Sequence, residues 1–450
     1  MISRIQTLLA RVFENELIRR IVTNSGYLFS ATGVSAAMGF LQSILAGRLL
    51  GPATFGMLGA LTAFTSVVNR FASFRMNELV VRYVGHYQEN DDPQRAAAVF
   101  KAAGVLEISS SFVAFFLVFT LAPLGARYFA HDVDLAFWFR VYGSIVLANM
   151  IYESATGLLQ IFDRFRTIAM INVAQSAVTL LLIALAFISK AGINSVVIAY
   201  MSGKALGSLS ISAFALIEAR RAWGADWWRT PLSILKSELR SLITFAVSTN
   251  LSSTISLIAK DSEVLWVSAF LGTQPAGYYK TALALTGLIQ LPVSPLPKTT
   301  FPELTREIAR KNWENVRYIL RQGTRLAAAY SVPVTLGLVM FGKWVIRLTY
   351  GPEYLPTYEP LIILLVGFTF VNILYWNRVA LLALARPVFP TLINLTGMIL
   401  KVSCIFLLVP RWGYLAFAGL LSGYYIFTVG IAAARVILDL RSRSEILNSS

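Results

Sequence analysis

The chain has 450 residues, 56% of them apolar and only 14% charged, with a net charge of +16 and a single cysteine. A water-soluble domain of this size carries nearer a quarter charged residues, and the mean hydropathy of +0.64 points the same way. Lone Cys404 and two histidines, His86 and His131, exclude a disulfide framework and a Cys/His metal cluster; the positive charge sits in short connecting segments rather than a basic soluble domain, which excludes nucleic acid as a partner.

In chain order, residues 1–20 set Ile2, Ile5, Leu9, Val12, Phe13 and Leu17 between Arg4, Arg11, Glu14, Arg19 and Arg20, the pattern of an amphipathic helix on a membrane surface. Long uncharged runs follow: Ile21–Gly47, Thr167–Ser189, Ser241–Ala259, Leu326–Gly342, Pro360–Asn377 and Trp412–Ala434. Each is about the length that crosses a hydrocarbon core of roughly 30 Å. Twelve spanning helices are predicted, over 24–47, 51–74, 102–123, 137–160, 167–189, 193–217, 241–259, 264–290, 325–346, 360–383, 388–409 and 413–436. With the N-terminus inside, inner segments hold 25 of the 39 Lys and Arg, outer segments 7 and the spans 7. That bias puts both termini in the cytoplasm. The organisation predicted is a surface helix at 1–20, an N-lobe of six spans at 21–217, a cytoplasmic linker at 218–240, a C-lobe of six spans at 241–437 and a cytoplasmic tail at 438–450. Trp223, Trp227 and Trp228 beside Arg221 and Arg229 predict an interfacial helix in the linker.

The two lobes are copies. LLGPATFGML, Leu49–Leu58, returns 221 positions later as FLGTQPAGYY, Phe270–Tyr279; Ile171-Asn172-Val173 returns as Ile393-Asn394-Leu395, and Ser202-Gly203 as Ser422-Gly423. Six spans per copy is an even number, so both copies enter the membrane the same way and the repeat is parallel, as in transporters that hold cargo between repeats.

No Walker A sequence, HExxH or nucleophile elbow is present, so neither catalysis nor a cofactor is expected. The informative residues are charges inside spans, where an Arg or Lys costs roughly 2.5–3.5 kcal/mol on translocon scales. Lys204, Lys280 and Lys401 fall near mid-span. Arg70, Arg378 and Arg435 fall toward inner ends and Arg140 toward an outer end, within reach of the interface. Glu107 and Glu153 are acidic counterparts near the inner face, candidates for an ion pair or ion coupling. Lys260, Asp261 and Glu263 are read as the turn between the first two spans of the C-lobe, either a solvated turn or a periplasmic gate, and Asp261 and Glu263 join Glu107 and Glu153 as candidates for an ion pair or ion coupling. Three central cations and no central anion predict a cavity for an anionic cargo, with phosphate or pyrophosphate the obvious ligand. Stepping by the repeat from the three lysines gives Tyr424, Gly59 and Thr179; the scaffold is duplicated and the charges are not, which points to them as functional. Tyr278, Tyr279, Tyr375, Trp376, Tyr424 and Tyr425 either stack on sugars or form the interfacial belt.

The opening NSGYLFSATGVSAAMGFLQSILAGRLLGPATFGML, its second-half counterpart Leu271-Gly272 through Ala276-Gly277-Tyr278-Tyr279, and LLQIFDRFR at Leu158–Arg166 resemble the polysaccharide transporters, or Wzx-type flippases, of the multidrug/oligosaccharidyl-lipid/polysaccharide (MOP) exporter superfamily. The resemblance implies an all-α polytopic protein with two six-helix lobes in a V around a cationic cavity. It implies flipping of an undecaprenyl-pyrophosphate-linked oligosaccharide across the bacterial inner membrane, for O-antigen, capsule or exopolysaccharide. Membrane lipids are expected partners, with the glycan polymerase and chain-length regulator of the same pathway, and the protein is expected to be a monomer. The resemblance places Arg48 and Lys280 at the cavity and Lys204 and Lys401 further off. A drug/cation antiporter of the same superfamily would need an acid-rich cavity. A membrane-embedded polymerase or ligase would need a large outer loop, and the longest here is about a dozen residues.

Overall fold

The computed structural model describes residues 16–74 and 76–448. Most of the amphipathic helix predicted over 1–20, and the end of the tail, lie outside them. All regular structure among the described residues is helical: α1 Glu16–Ala72, α2 Met76–Glu89, α3 Pro93–Gly125, α4 Ala136–Gly143, α5 Ile145–Ala148, α6 Tyr152–Ile161, α7 Phe165–Ile188, α8 Ile193–Trp223, α9 Leu239–Ser256, α10 Glu263–Leu271, α11 Thr273–Gln290, α12 Leu296–Ala309, α13 Trp313–Thr349, α14 Tyr358–Ile373, α15 Asn377–Ala383 and α16 Val388–Asn448. Eight stretches of helix among these residues are long and apolar enough to cross a membrane. Two are too long for one crossing. The 57 residues of α1 would run ~85 Å at 1.5 Å each. Both α1 and α16 are bent at a glycine with positive φ, Gly51 (71°) and Gly413 (56°), a backbone that breaks the helix ladder. These are the boundaries predicted near residues 51 and 413.

The predicted turn at 260–263 is not a turn. Leu257–Asp261 is one coil of π-helix that carries α9 into α10, and the chain breaks at Gly272, φ 92°. Lys260, Asp261 and Glu263 therefore lie ~14–18 Å along the helix from that break, inside the span. Gly272 is the repeat counterpart of Gly51 at the offset of 221, so the duplication already marked the position.

The repeat is written in the backbone as well. Left-handed residues recur at offsets of 220–223: Gly51 and Gly272, Asp91 and Lys311, His131 and Gly351, Asp163 and Ala385, Lys190 and Gly413. Each ends a helix and starts the next connection. One ion pair is duplicated with them. Arg164 meets Glu218 at 3.1 Å in the first half, and Arg386 meets Asp439 at 2.5 Å in the second.

Packing divides the chain into two compact units that are not the two halves of the repeat. Of the described residues, the first holds those through Gln42 with Phe71–Thr120 and Val141–Asn250; the second holds Ser43–Arg70, Leu121–Arg140 and those from Leu251 onward. The first unit is centred on Val80, Phe100, Leu158 and Ile211. Its linker forms two 3₁₀ turns, Trp227–Arg229 and Leu232–Leu235, after α8 stops at Gly224 (φ 86°). No interfacial helix forms there because Trp223 and Trp227 turn inward against Phe100, at ring distances of 5.8 and 5.4 Å. Tyr87 of α2 ties the linker down by donating to Glu238. Burial and that carboxylate push the Tyr87 hydroxyl up to about 12, so the bond survives throughout the physiological range. The second unit has a core of Leu304, Leu320, Leu381 and Val436, and it carries most of the predicted charges.

Candidate substrate site

Within the second unit, the breaks at Gly51 and Gly272 each launch a new helix, the second limb of α1 and the start of α11. The two cross where there is no side chain to hold them apart. A Cβ on Gly56 would lie 1.7 Å from the Thr273 carbonyl oxygen, and one on Gly277 would lie 2.0 Å from that of Pro52. Gly56 and Gly277 are repeat counterparts, and so are Pro52 and Thr273. The contact is a local two-fold crossing built from the most similar part of the two copies.

One turn further on, Lys280 meets its own counterpart, Gly59: a Cβ at Gly59 would lie 2.9 Å from Lys280 Cδ. The lysine's Nζ sits 3.9 Å from the ring centroid of buried Phe55, whose counterpart is Ala276. The asymmetry read from the sequence as a sign of function thus has a steric cause. Residues on a two-fold crossing share one space, so a large side chain from one copy requires a small one from the other. Among the described residues Lys280 makes no ion pair. Tyr278, Tyr350, Tyr354 and Tyr414 pack around this end, Tyr354 donating to the Gly47 carbonyl at 2.8 Å and Tyr350 sharing a hydrogen bond with Ser43 at 2.8 Å.

Next to Lys280, the expected absence of a central anion is overturned. Glu263 is buried and paired with Lys401, which also donates to the Ala259 carbonyl, while Tyr279 donates to the second Glu263 oxygen at 2.7 Å. Lys401 is neutralised by a residue that had been assigned to an outer turn. Asp261 bonds Arg70 at 2.6 Å, so Arg70 is held in a partly exposed pair and not by snorkelling alone.

Arg48 is exposed and donates from Nε and Nη2 to the Thr349 and Leu348 carbonyls, capping the last turn of α13 where the helix dipole favours a cation. Arg378 is exposed at the start of α15, and Arg140 is half-buried on α4. Lys204, Glu107 and Glu153 belong to the first unit. Lys204 is half-buried on α8. Glu107 is buried, and its carboxylate accepts from the Glu153 N–H (2.8 Å), the Ser154 N–H (3.0 Å) and the Ser154 hydroxyl (2.6 Å). It is an N-cap supplied to α6 from a helix 46 residues away. Glu153 contributes its backbone there, not its carboxylate.

The profile of a family described as "Polysaccharide biosynthesis protein" matches residues 21–307, well over half the chain. The chain belongs to that family. It is 26% identical to the inner membrane protein YghQ of Escherichia coli (strain K12) over 347 residues, 77% of this chain and 97% of YghQ. Its fold is that of the MOP superfamily. It superposes on an inward-facing multidrug resistance MATE family transporter with a TM-score of 0.76 at 13% identity, covering 91% of this chain and 96% of that one. On the lipid II flippase MurJ in an inward closed conformation the TM-score is 0.68 at 16% identity, covering 93% and 90%. The protein is a polytopic membrane protein of the polysaccharide biosynthesis family with the fold these two structures share.

Proposed function

We propose that this family member flips an undecaprenyl-pyrophosphate-linked oligosaccharide from the cytoplasmic to the periplasmic leaflet by alternating access, with both termini in the cytoplasm and the repeats 21–217 and 241–437 as the moving bodies. The observation that carries the reading is Lys280. An ammonium in a span costs roughly 2.5–3.5 kcal/mol, and a desolvated cation–π contact such as that with Phe55 returns about 2. The remainder is recovered when an anion binds, whereas the neighbouring Lys401 is already satisfied by Glu263. Arg48, exposed and with N–H groups beyond those that cap α13, is the second proposed contact for the headgroup. Membership of the polysaccharide biosynthesis family and the fold shared with a lipid II flippase support a lipid-linked sugar as cargo. A glycan polymerase and chain-length regulator would then act on the product.

The test is Lys280→Ala in a host lacking its own copy. Surface glycan should disappear while the protein still reaches the membrane in normal amount, the charge removed offsetting part of the cavity left beside Gly59. Lys280→Arg should retain part of the display. Full glycan display in Lys280→Ala ends the proposal.

A further inference from the structure

The second unit contains a cavity of about 590 Å³ whose rim is four arginines, Arg317, Arg321 and Arg325 from α13 and Arg441 from α16. Its apolar lining is Leu320, Leu374, Trp376, Ile437 and Leu440, with Leu320, Trp376 and Leu440 buried. The three arginines of α13 stand at i, i+4 and i+8, one face of the helix over ~12 Å. Like charges at that spacing destabilise a helix by a few tenths of a kcal/mol per pair, and among the described residues that line the cavity none is a carboxylate. Asp439 of α16 is taken by Arg386 and Arg435.

The walls are fixed. Arg317 Nη2 donates to the Leu440 carbonyl at 3.2 Å, holding α13 to α16, and Trp376 Nε1 donates to Thr324 Oγ1 at 2.7 Å, fixing Trp376 in that lining. Arg321 and Arg325 form no ion pair among the described residues. A fixed apolar lining beside guanidinium forks is complementary to an amphiphile whose head is a phosphate, since the planar fork binds phosphate oxygens in pairs. The positive-charge bias puts this end of α13 at the inner leaflet, where basic pockets between helices meet anionic lipid heads.

We propose that this arginine pocket binds the phosphate or pyrophosphate head of a lipid in the inner leaflet, its chain lying against Leu320, Leu374, Ile437 and Leu440. The site is separate from Lys280 and does not rest on the translocation reading. The experiment uses the purified full chain, with bound lipid counted by native mass spectrometry and followed by thermal shift. Wild type, Arg321→Gln/Arg325→Gln and Lys280→Ala are each offered a polyprenyl pyrophosphate, cardiolipin and inorganic pyrophosphate. The double variant is expected to bind lipid at least tenfold more weakly, with an unchanged lipid-free melt, and Lys280→Ala to bind as wild type does. A loss confined to the polyprenyl pyrophosphate supports the pocket as a station of the cargo; a loss confined to cardiolipin supports it as the seat of a resident lipid. Equal lipid affinity in wild type and double variant, or binding of the inorganic ion alone, overturns the proposal. Arg321→Lys/Arg325→Lys, which keeps the charge and loses the fork, should fall between them if the lipid head is the ligand.

Discussion

Removing Lys401 should expose what the Glu263 pair does. The two side chains are 2% and 1% exposed, so water can replace neither partner. Lys401→Met leaves Glu263 with only the Tyr279 hydroxyl, and truncating one partner of a buried pair costs about 3–5 kcal/mol. Glu263→Leu strands the lysine in the same way. The double variant Glu263→Leu/Lys401→Met removes both desolvated charges at similar volume and should return to within about 1 kcal/mol of wild type, since such replacements are near neutral. At about 2 °C per kcal/mol for a large chain, each single variant should melt ~6–10 °C lower in detergent and the double within ~2 °C, measured by intrinsic fluorescence at one fixed scan rate. The same three proteins separate scaffold from transport. If the pair is structural, the double variant displays surface glycan; if Glu263 couples an ion or Lys401 holds the cargo, the double is stable and silent. Single variants that melt with wild type, or losses that add in the double, would refute the reasoning, because the charges would then be solvated or indifferent to one another.

Gly56→Ala and Gly277→Ala should each prevent the helix crossing. The added methyl would fall 1.7 and 2.0 Å from a backbone oxygen, and backbone cannot step aside as a side chain tip can; monodisperse protein on size exclusion should drop sharply for both, and a normal yield for either contradicts the crossing. Glu107→Gln keeps one acceptor for the start of α6 and should cost about 1–2 kcal/mol, Glu107→Ala more because two buried N–H groups lose their partner. If instead Glu107→Gln melts as wild type does, the carboxylate charge contributes nothing to that cap.

Much of the fold is legible along the chain because its causes are local. A run such as Thr167–Ser189, free of charge for the thickness of a bilayer, has few other places to go. Gly51 and Gly413 break helices through their own φ, whatever surrounds them. Where the reading erred, it followed charge instead of geometry: Lys260-Asp261-Ser262-Glu263 looks like a loop because four polar residues in a row usually are one, yet Asp261 and Glu263 each have a cation waiting, Arg70 and Lys401, 191 and 138 residues away in the sequence. The four-residue spacing of Arg317, Arg321 and Arg325 places the three on one helix face, and only the packing of α13 against α16 opens a cavity beside them.

Composition and periodicity thus decide that the chain is a duplicated membrane protein and where most of its helices begin, since membrane length, helix breaks and the copy offset are properties of short stretches. Which charges are free is a different kind of question. Lys280 and Lys401 look alike along the chain, two lysines in apolar helices, and only the packing of α10 against α16 gives one a carboxylate and leaves the other over Phe55. In a low-dielectric interior a partner a few ångströms away changes a charge's energy by several kcal/mol, and that distance is set by residues more than a hundred positions apart.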